Sequence, residues 1–206
     1  MKKLGLIFGM IVFTFSMNAQ VENNNGEYTE VIEVELSKKD IHQKVNEWIA
    51  TNYNSAQDVV QLNTEDKVIV KGNYVVLMQN ISYRVYNSLS FSIRDNKYKV
   101  DLIPSGLSTS TIKKNSGLAE QIIEIYAPKK LDENEYNEIT QRNGINHLKA
   151  LGWSDKKIQN KFINKGIDEI YYTNYLDNKV AWDKAIESTF KSIKEYINQS
   201  NSDDDW

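Results

Sequence analysis

Polar and apolar positions alternate most cleanly in the middle of the chain, and that alternation predicts a sheet. Over Ile81–Arg94, Tyr83, Val85, Leu89, Phe91 and Ile93 fall on one face of a strand. Ser82, Arg84, Tyr86, Ser88, Ser90, Ser92 and Arg94 fall on the other, the period-two signature of a half-buried strand. Asp95-Asn96 supplies a two-residue hairpin connection, and Tyr98, Val100 and Leu102 carry the apolar face onto the return strand. The β-branched runs Val59-Val60-Gln61-Leu62 and Val68-Ile69-Val70 flank a polar turn at Asn63-Thr64-Glu65-Asp66. Gly72-Asn73 predicts a bend or bulge before Tyr74-Val75-Val76-Leu77. Upstream, Ile32, Val34 and Leu36 alternate with Glu33 and Glu35. A serine-rich face is wet and its opposite is covered, which favours antiparallel pairing.

Helical periodicity brackets these strands. Ser37, with Asp40 three residues on, reads as a capping box opening a helix whose apolar stripe is Ile41, Val45, Trp48, Ile49 and Asn52. Residues 104–117, rich in Ser, Thr and Gly, read as a linker loop. Asp132 then caps a helix through about Arg142 that Asn143-Gly144 ends, and Ser154-Asp155 caps another on Ile158, Phe162 and Ile163 that stops near Gly166. A last helix is predicted from about Asn178, carrying Val180, Trp182, Ile186, Phe190, Ile193 and Ile197. The expected class is α+β: an antiparallel sheet wet on one face and covered on the other, followed by a mainly helical part over residues 118–199.

The two ends change the picture. Met1-Lys2-Lys3, an apolar run from Leu4 to Phe15, and Ser16-Met17-Asn18-Ala19 have the order of a signal peptide over residues 1–19, cut near Ala19-Gln20. About twelve apolar residues are too few to cross a bilayer as a helix. Residues 20–27 read as a disordered lead-in and 200–206 as an acidic tail. The chain has 206 residues, 25 basic against 28 acidic and a net charge of −3. Loss of Lys2 and Lys3 leaves 23 basic groups and a net −5, and Met78 becomes the only methionine. A negative, exported chain is no partner for nucleic acid. With no Cys there is no disulfide, thiolate zinc site, thiol nucleophile or lipid attachment point. The expected species is exported and soluble, periplasmic or secreted, with neither membrane span nor lipid anchor.

Candidate chemistry is sparse. His42 and His147 lack a second ligand at metal spacing, and Asp203-Asp204-Asp205 lacks the spaced ligands and central Gly of a calcium loop. Gly72, Gly106 and Gly117 are isolated, and no G-x-S-x-G occurs. No catalytic residue, metal site or cofactor is therefore assigned. The leading expectation is a non-catalytic binding module for a protein, peptide or glycan. A hydrolase using carboxylates, or a structural or inhibitor-like partner of another exported protein, are the alternatives. Candidate ligand contacts are Arg84, Tyr86 and Arg94 on the wet strand face, and Tyr171, Tyr172 and Tyr175 near Trp182. The tyrosines have a second reading, as packing between the helical part and the sheet.

Ser37-Lys38-Lys39-Asp40-Ile41, Trp48, Ala56-Gln57-Asp58-Val59-Val60-Gln61, Val68-Ile69-Val70-Lys71-Gly72 and Ile81-Ser82-Tyr83 carry a family resemblance. Over residues 28–103 the chain resembles the domain of unknown function with a TBP-like (TATA-binding-protein-like) fold, found largely in exported proteins of Bacteroidota. The resemblance implies a helix on one face of a curved antiparallel sheet, closed by a later helix. It implies no activity, substrate or site residue, and fold likeness transfers no DNA binding.

Overall fold

An apolar strand face must be covered, and here two helices from opposite ends of the chain do most of the covering. In the computed structural model, which describes residues 21–114, 116–161 and 169–199, six strands form one antiparallel sheet. They are β1 (Glu22–Asn24), β2 (Glu27–Glu33), β3 (Val60–Thr64), β4 (Lys67–Met78), β5 (Ile81–Arg94) and β6 (Lys97–Ser108), ordered β1-β2-β6-β5-β4-β3. The helices are α1 (Lys38–Asn52), α2 (Ala56–Val59), α3 (Gly117–Tyr126), α4 (Glu133–Ala150), α5 (Asp155–Lys161) and α6 (Glu169–Asn198). The fold is thus α+β and TBP-like, with a C-terminal helix on the sheet. The proposed signal peptide, the acidic tail, and Phe162, Ile163 and Gly166 lie outside the described residues.

Three of the tight turns use Asn to reach positive φ, which most L-residues avoid. Gln79 (φ 48°) and Asn80 (φ 63°) join β4 to β5, and Asn96 (φ 62°) sits between β5 and β6. Asn25 (φ 54°) and Gly26 (φ 92°) join β1 to β2. This last turn corrects the expectation for residues 20–27: the described part of that stretch is a hairpin, and Asn-Gly is its signal.

α1 opens on Ser37, whose side chain accepts a hydrogen bond from Asp40 N, and buries Ile41, Val45, Trp48 and Ile49 as expected. Asn52, placed on that stripe by its spacing, is exposed at the helix end. α6 buries Tyr175, Asn178, Lys179, Trp182, Ile186, Phe190, Ile193 and Ile197. Its stripe continues upstream of Asn178 to Tyr175, which is why the helix begins earlier than its strongest apolar positions. The inward side chains of the sheet, among them Val70, Val85, Leu89, Phe91, Val100 and Leu102, join α1, α6 and Ala119 of α3 in one buried cluster.

Two further expectations change. Residues 104–108 are not linker but the end of β6, because Leu107 pairs with Val85 on the buried face. α4 runs through Asn143-Gly144 to Ala150. A mid-helix Gly costs about 1 kcal/mol without stopping a helix. The stop is Gly152 (φ 79°), whose N–H donates to Lys149 O at 2.9 Å while Trp153 N–H reaches Leu148 O at 3.0 Å, a Schellman cap.

Candidate functional site

The buried cluster lies wholly on one side of the sheet, so the other side remains open. Cross-strand register fixes which residues share it. Glu33, Lys97 and Arg94 form one rung, and Val31, Lys99, Ser92 and Lys67 the next. Thr29, Asp101, Ser90 and Ile69 follow, then Ile103, Ser88 and Lys71, then Gly106, Tyr86 and Asn73, and finally Ser108, Arg84 and Val75. Serines occupy the centre, where side chains of neighbouring strands crowd, and the larger groups stand towards the edges.

Two properties set this face apart. Its six cations, Lys67, Lys71, Lys97, Lys99, Arg84 and Arg94, outnumber Glu22, Glu27, Glu33 and Asp101 among the described strand residues, on a chain whose overall charge is −3. Asp101 is moreover taken up, by Lys99 Nζ at 2.9 Å and by Thr29 Oγ1, which donates at 2.8 Å. Apolar side chains also stand in water there: Val31, Val75, Leu77 and Ile103 are each more than two-fifths exposed. With strands of 12–14 residues, the face measures roughly 40 Å along the strands and 25 Å across them. That area matches the roughly 800 Å² one partner contributes to a standard interface.

The sequence candidates divide between the two sides. Arg84, Tyr86 and Arg94 all lie on the open face, but Arg84 and Arg94 are ten residues, roughly 33 Å, apart along β5, so no small ligand touches both. Tyr86 is capped by Lys114, whose Nζ lies 4.0 Å from the ring centroid, and its hydroxyl is 3.3 Å from Ser108 Oγ. The tyrosines of α6 lie elsewhere. Tyr175 is buried, accepts Leu131 N–H at 2.7 Å and stacks on Tyr126 and Tyr136; Tyr172 donates to Leu131 O at 3.1 Å. Both fasten the entrance of α4 to α6. Tyr171 is 58% exposed. His42 Nε2 is 2.7 Å from Asn63 Oδ1, and His147 is exposed. The lysines of the open face were missed because each is ordinary by itself; only strand parity combined with register gathers them.

The covered side is sealed by polar ties as well as apolar ones. Trp182 Nε1–H donates to Tyr28 Oη at 3.1 Å, and that hydroxyl donates to Ala127 O at 2.7 Å. Asn23 Nδ2 meets the same carbonyl at 2.9 Å. Burial, reinforced by Asp183, pushes the Tyr28 phenol far above its ordinary range. Glu30, on the inward face of β2, receives Lys194 Nζ of α6 at 2.7 Å. These contacts clamp the first strands to the last helix.

A helix-backed antiparallel sheet with one bare face defines the class, a TBP-like α+β fold. Residues 28–103 match the family described as a domain of unknown function (DUF4468) with TBP-like fold. Two solved structures are similar over 88% of this chain, each with a TM-score of 0.50. One is a TBP-like protein from Parabacteroides distasonis, 11% identical and matched over 99% of its length. The other is a DUF4468 family protein from Bacteroides ovatus, 10% identical and matched over 92% of its length. At such identity the likeness concerns the fold alone. No curated protein matches in sequence. Among the described residues no helix is long and apolar enough to cross a membrane.

Proposed function

We propose that the protein is an exported, non-catalytic binding module whose open sheet face receives an acidic segment of a protein or peptide partner. The observation that supports this reading is the concentration of cations and exposed apolar side chains on the one uncovered face of an acidic chain. Export rests on the order of basic, apolar and small residues at the N-terminus. Lys67 and Lys71 of β4 would meet carboxylates, and Val75 and Ile103 the apolar side chains between them. Electrostatic steering of this kind acts over about a Debye length and weakens with salt.

A labelled oligoglutamate peptide is the first probe, titrated by fluorescence anisotropy. Saturable binding that weakens steadily with added salt is expected. The double variant Lys67→Glu/Lys71→Glu should abolish it with the thermal midpoint unchanged. Binding of a sulfated polysaccharide in its place would overturn the peptide reading in favour of a glycan. Binding of neither would overturn the open face as a recognition surface.

A further inference from the structure

The covered side holds a second feature, independent of the open face. Where α1, α6 and the β4–β5 pair meet, a cavity of about 220 Å³ opens among Trp48, Asn52, Tyr53, Tyr74, Asn87 and Ser192. Asn87 is 4% exposed, and its Oδ1 is buried with no hydrogen-bond partner among the described protein atoms. The Tyr74 hydroxyl is buried and unpartnered too. Leaving such a group unsatisfied costs about 1–3 kcal/mol, so two of them on residues that line one cavity need a reason.

The backbone around Asn87 is shaped to keep the space clear. The β5–β6 register slips there, with Tyr86 opposite Gly106 and Asn87 opposite Pro104, leaving Ser105 as a bulge. Pro104 has no N–H to offer across the strand. On the other side Asn87 pairs with Gly72, over which the Tyr53 ring lies so closely that a Cβ would stand 2.8 Å from Tyr53 Cε1. The wall is completed by Ser192 of α6, which accepts Trp48 Nε1–H at 3.2 Å, and by Asn52, exposed at the rim.

None of the lining side chains carries a charge. An ionic ligand would therefore be desolvated without a counter-charge. Amides and hydroxyls set among aromatic rings suit alternating hydroxyl groups and C–H faces. The volume far exceeds the roughly 10–15 Å³ that one water requires, yet it falls below the 300–1,000 Å³ of drug-sized pockets. We propose that this cavity binds a neutral, hydroxyl-rich molecule of monosaccharide size, with Asn87 as its innermost hydrogen-bonding group. The site shares only Asn73 with the open-face rungs and stands whether or not that face binds an acidic chain.

Calorimetric titration with glucose, galactose and N-acetylglucosamine, beside the charged glucuronate and glucosamine, tests it. At least one neutral sugar should bind with a Kd on the order of 1 mM, as expected for a ligand of this size, and the charged sugars should not. Asn87→Leu should weaken binding at least about tenfold and raise the thermal midpoint, since it removes the unpartnered amide. Asn52→Trp, at an exposed helix end, should block the cavity and leave oligoglutamate binding intact, so the two readings fail separately. The inference is overturned if no neutral sugar binds in the millimolar range, leaving the cavity to ordered water only. It is overturned equally if Asn52→Trp binds the sugar as the parent does.

Discussion

The two faces of this sheet are built from the same three long strands, yet they obey different rules. On the covered face, Val70, Leu89, Phe91, Val100 and Leu102 are all at most 1% exposed and meet the stripes of α1 and α6. On the open face the same strands present Ser88, Ser90, Ser92, Lys67, Lys71 and Lys99, with isolated apolar groups between them. Stability comes from the first face, where apolar area leaves water. The second is free to vary without endangering the fold, and freedom of that kind is what a recognition surface needs.

The contrast is tested most severely by alkali. Burial raises the phenol of Tyr175 from 10.0 to about 12, and raises Tyr28, Tyr74 and Tyr98 as well, all on the covered side. A folded-state value above the unfolded one means stability intact below about pH 10 and lost as pH rises through 12. Cooperative loss of ellipticity in that window, coincident with a step in tyrosinate absorbance, is expected. Smooth titration of every tyrosine near pH 10 with the fold intact would show that the covered face is not sealed.

Next in size is Gly72→Ala. The added methyl meets the Tyr53 ring, and overpacking of this kind costs about 1–3 kcal/mol, read from urea unfolding. In a Tyr53→Ala background the same change should be neutral or slightly stabilising, because Ala loses less backbone freedom than Gly. An equal cost in both backgrounds would place the strain elsewhere. The smallest effect belongs to the open face: Ser90→Ala should shift stability by less than about 0.5 kcal/mol. A larger loss there would mean that the serine ladder is structural.

The course of β5 and the buried stripe of α1 were legible because burial there follows period: two for the strand, and three to four for Ile41, Val45, Trp48 and Ile49. Where the reading failed, the deciding partner was distant in sequence. Gly72-Asn73 looked like a bend, but β4 runs straight through, and the glycine answers to Tyr53 on a helix rather than to any turn. Asn87 sits on the apolar parity of β5 but is polar, and its burial depends on the bulge and on Gly72 across the strand. Asn143-Gly144 reads as a helix stop, whereas the backbone at the end of α4 takes positive φ at Gly152. Asn25-Gly26 is a purely local signal for the β1–β2 hairpin. For the site, Arg84 and Arg94 were visible one at a time, but the lysines of β4 and β6 become neighbours only once the register is known.

The clamp between Tyr28 and Trp182 joins residues 154 positions apart, and Glu30 with Lys194 spans 164. The second strand therefore has no lid until nearly the whole chain exists. During synthesis the hairpins β3–β4 and β4–β5 can close early, since their pairings are local. The sheet stays unsealed, its apolar side in water, until α6 emerges. Long-range closure of this kind slows folding and lengthens exposure to aggregation.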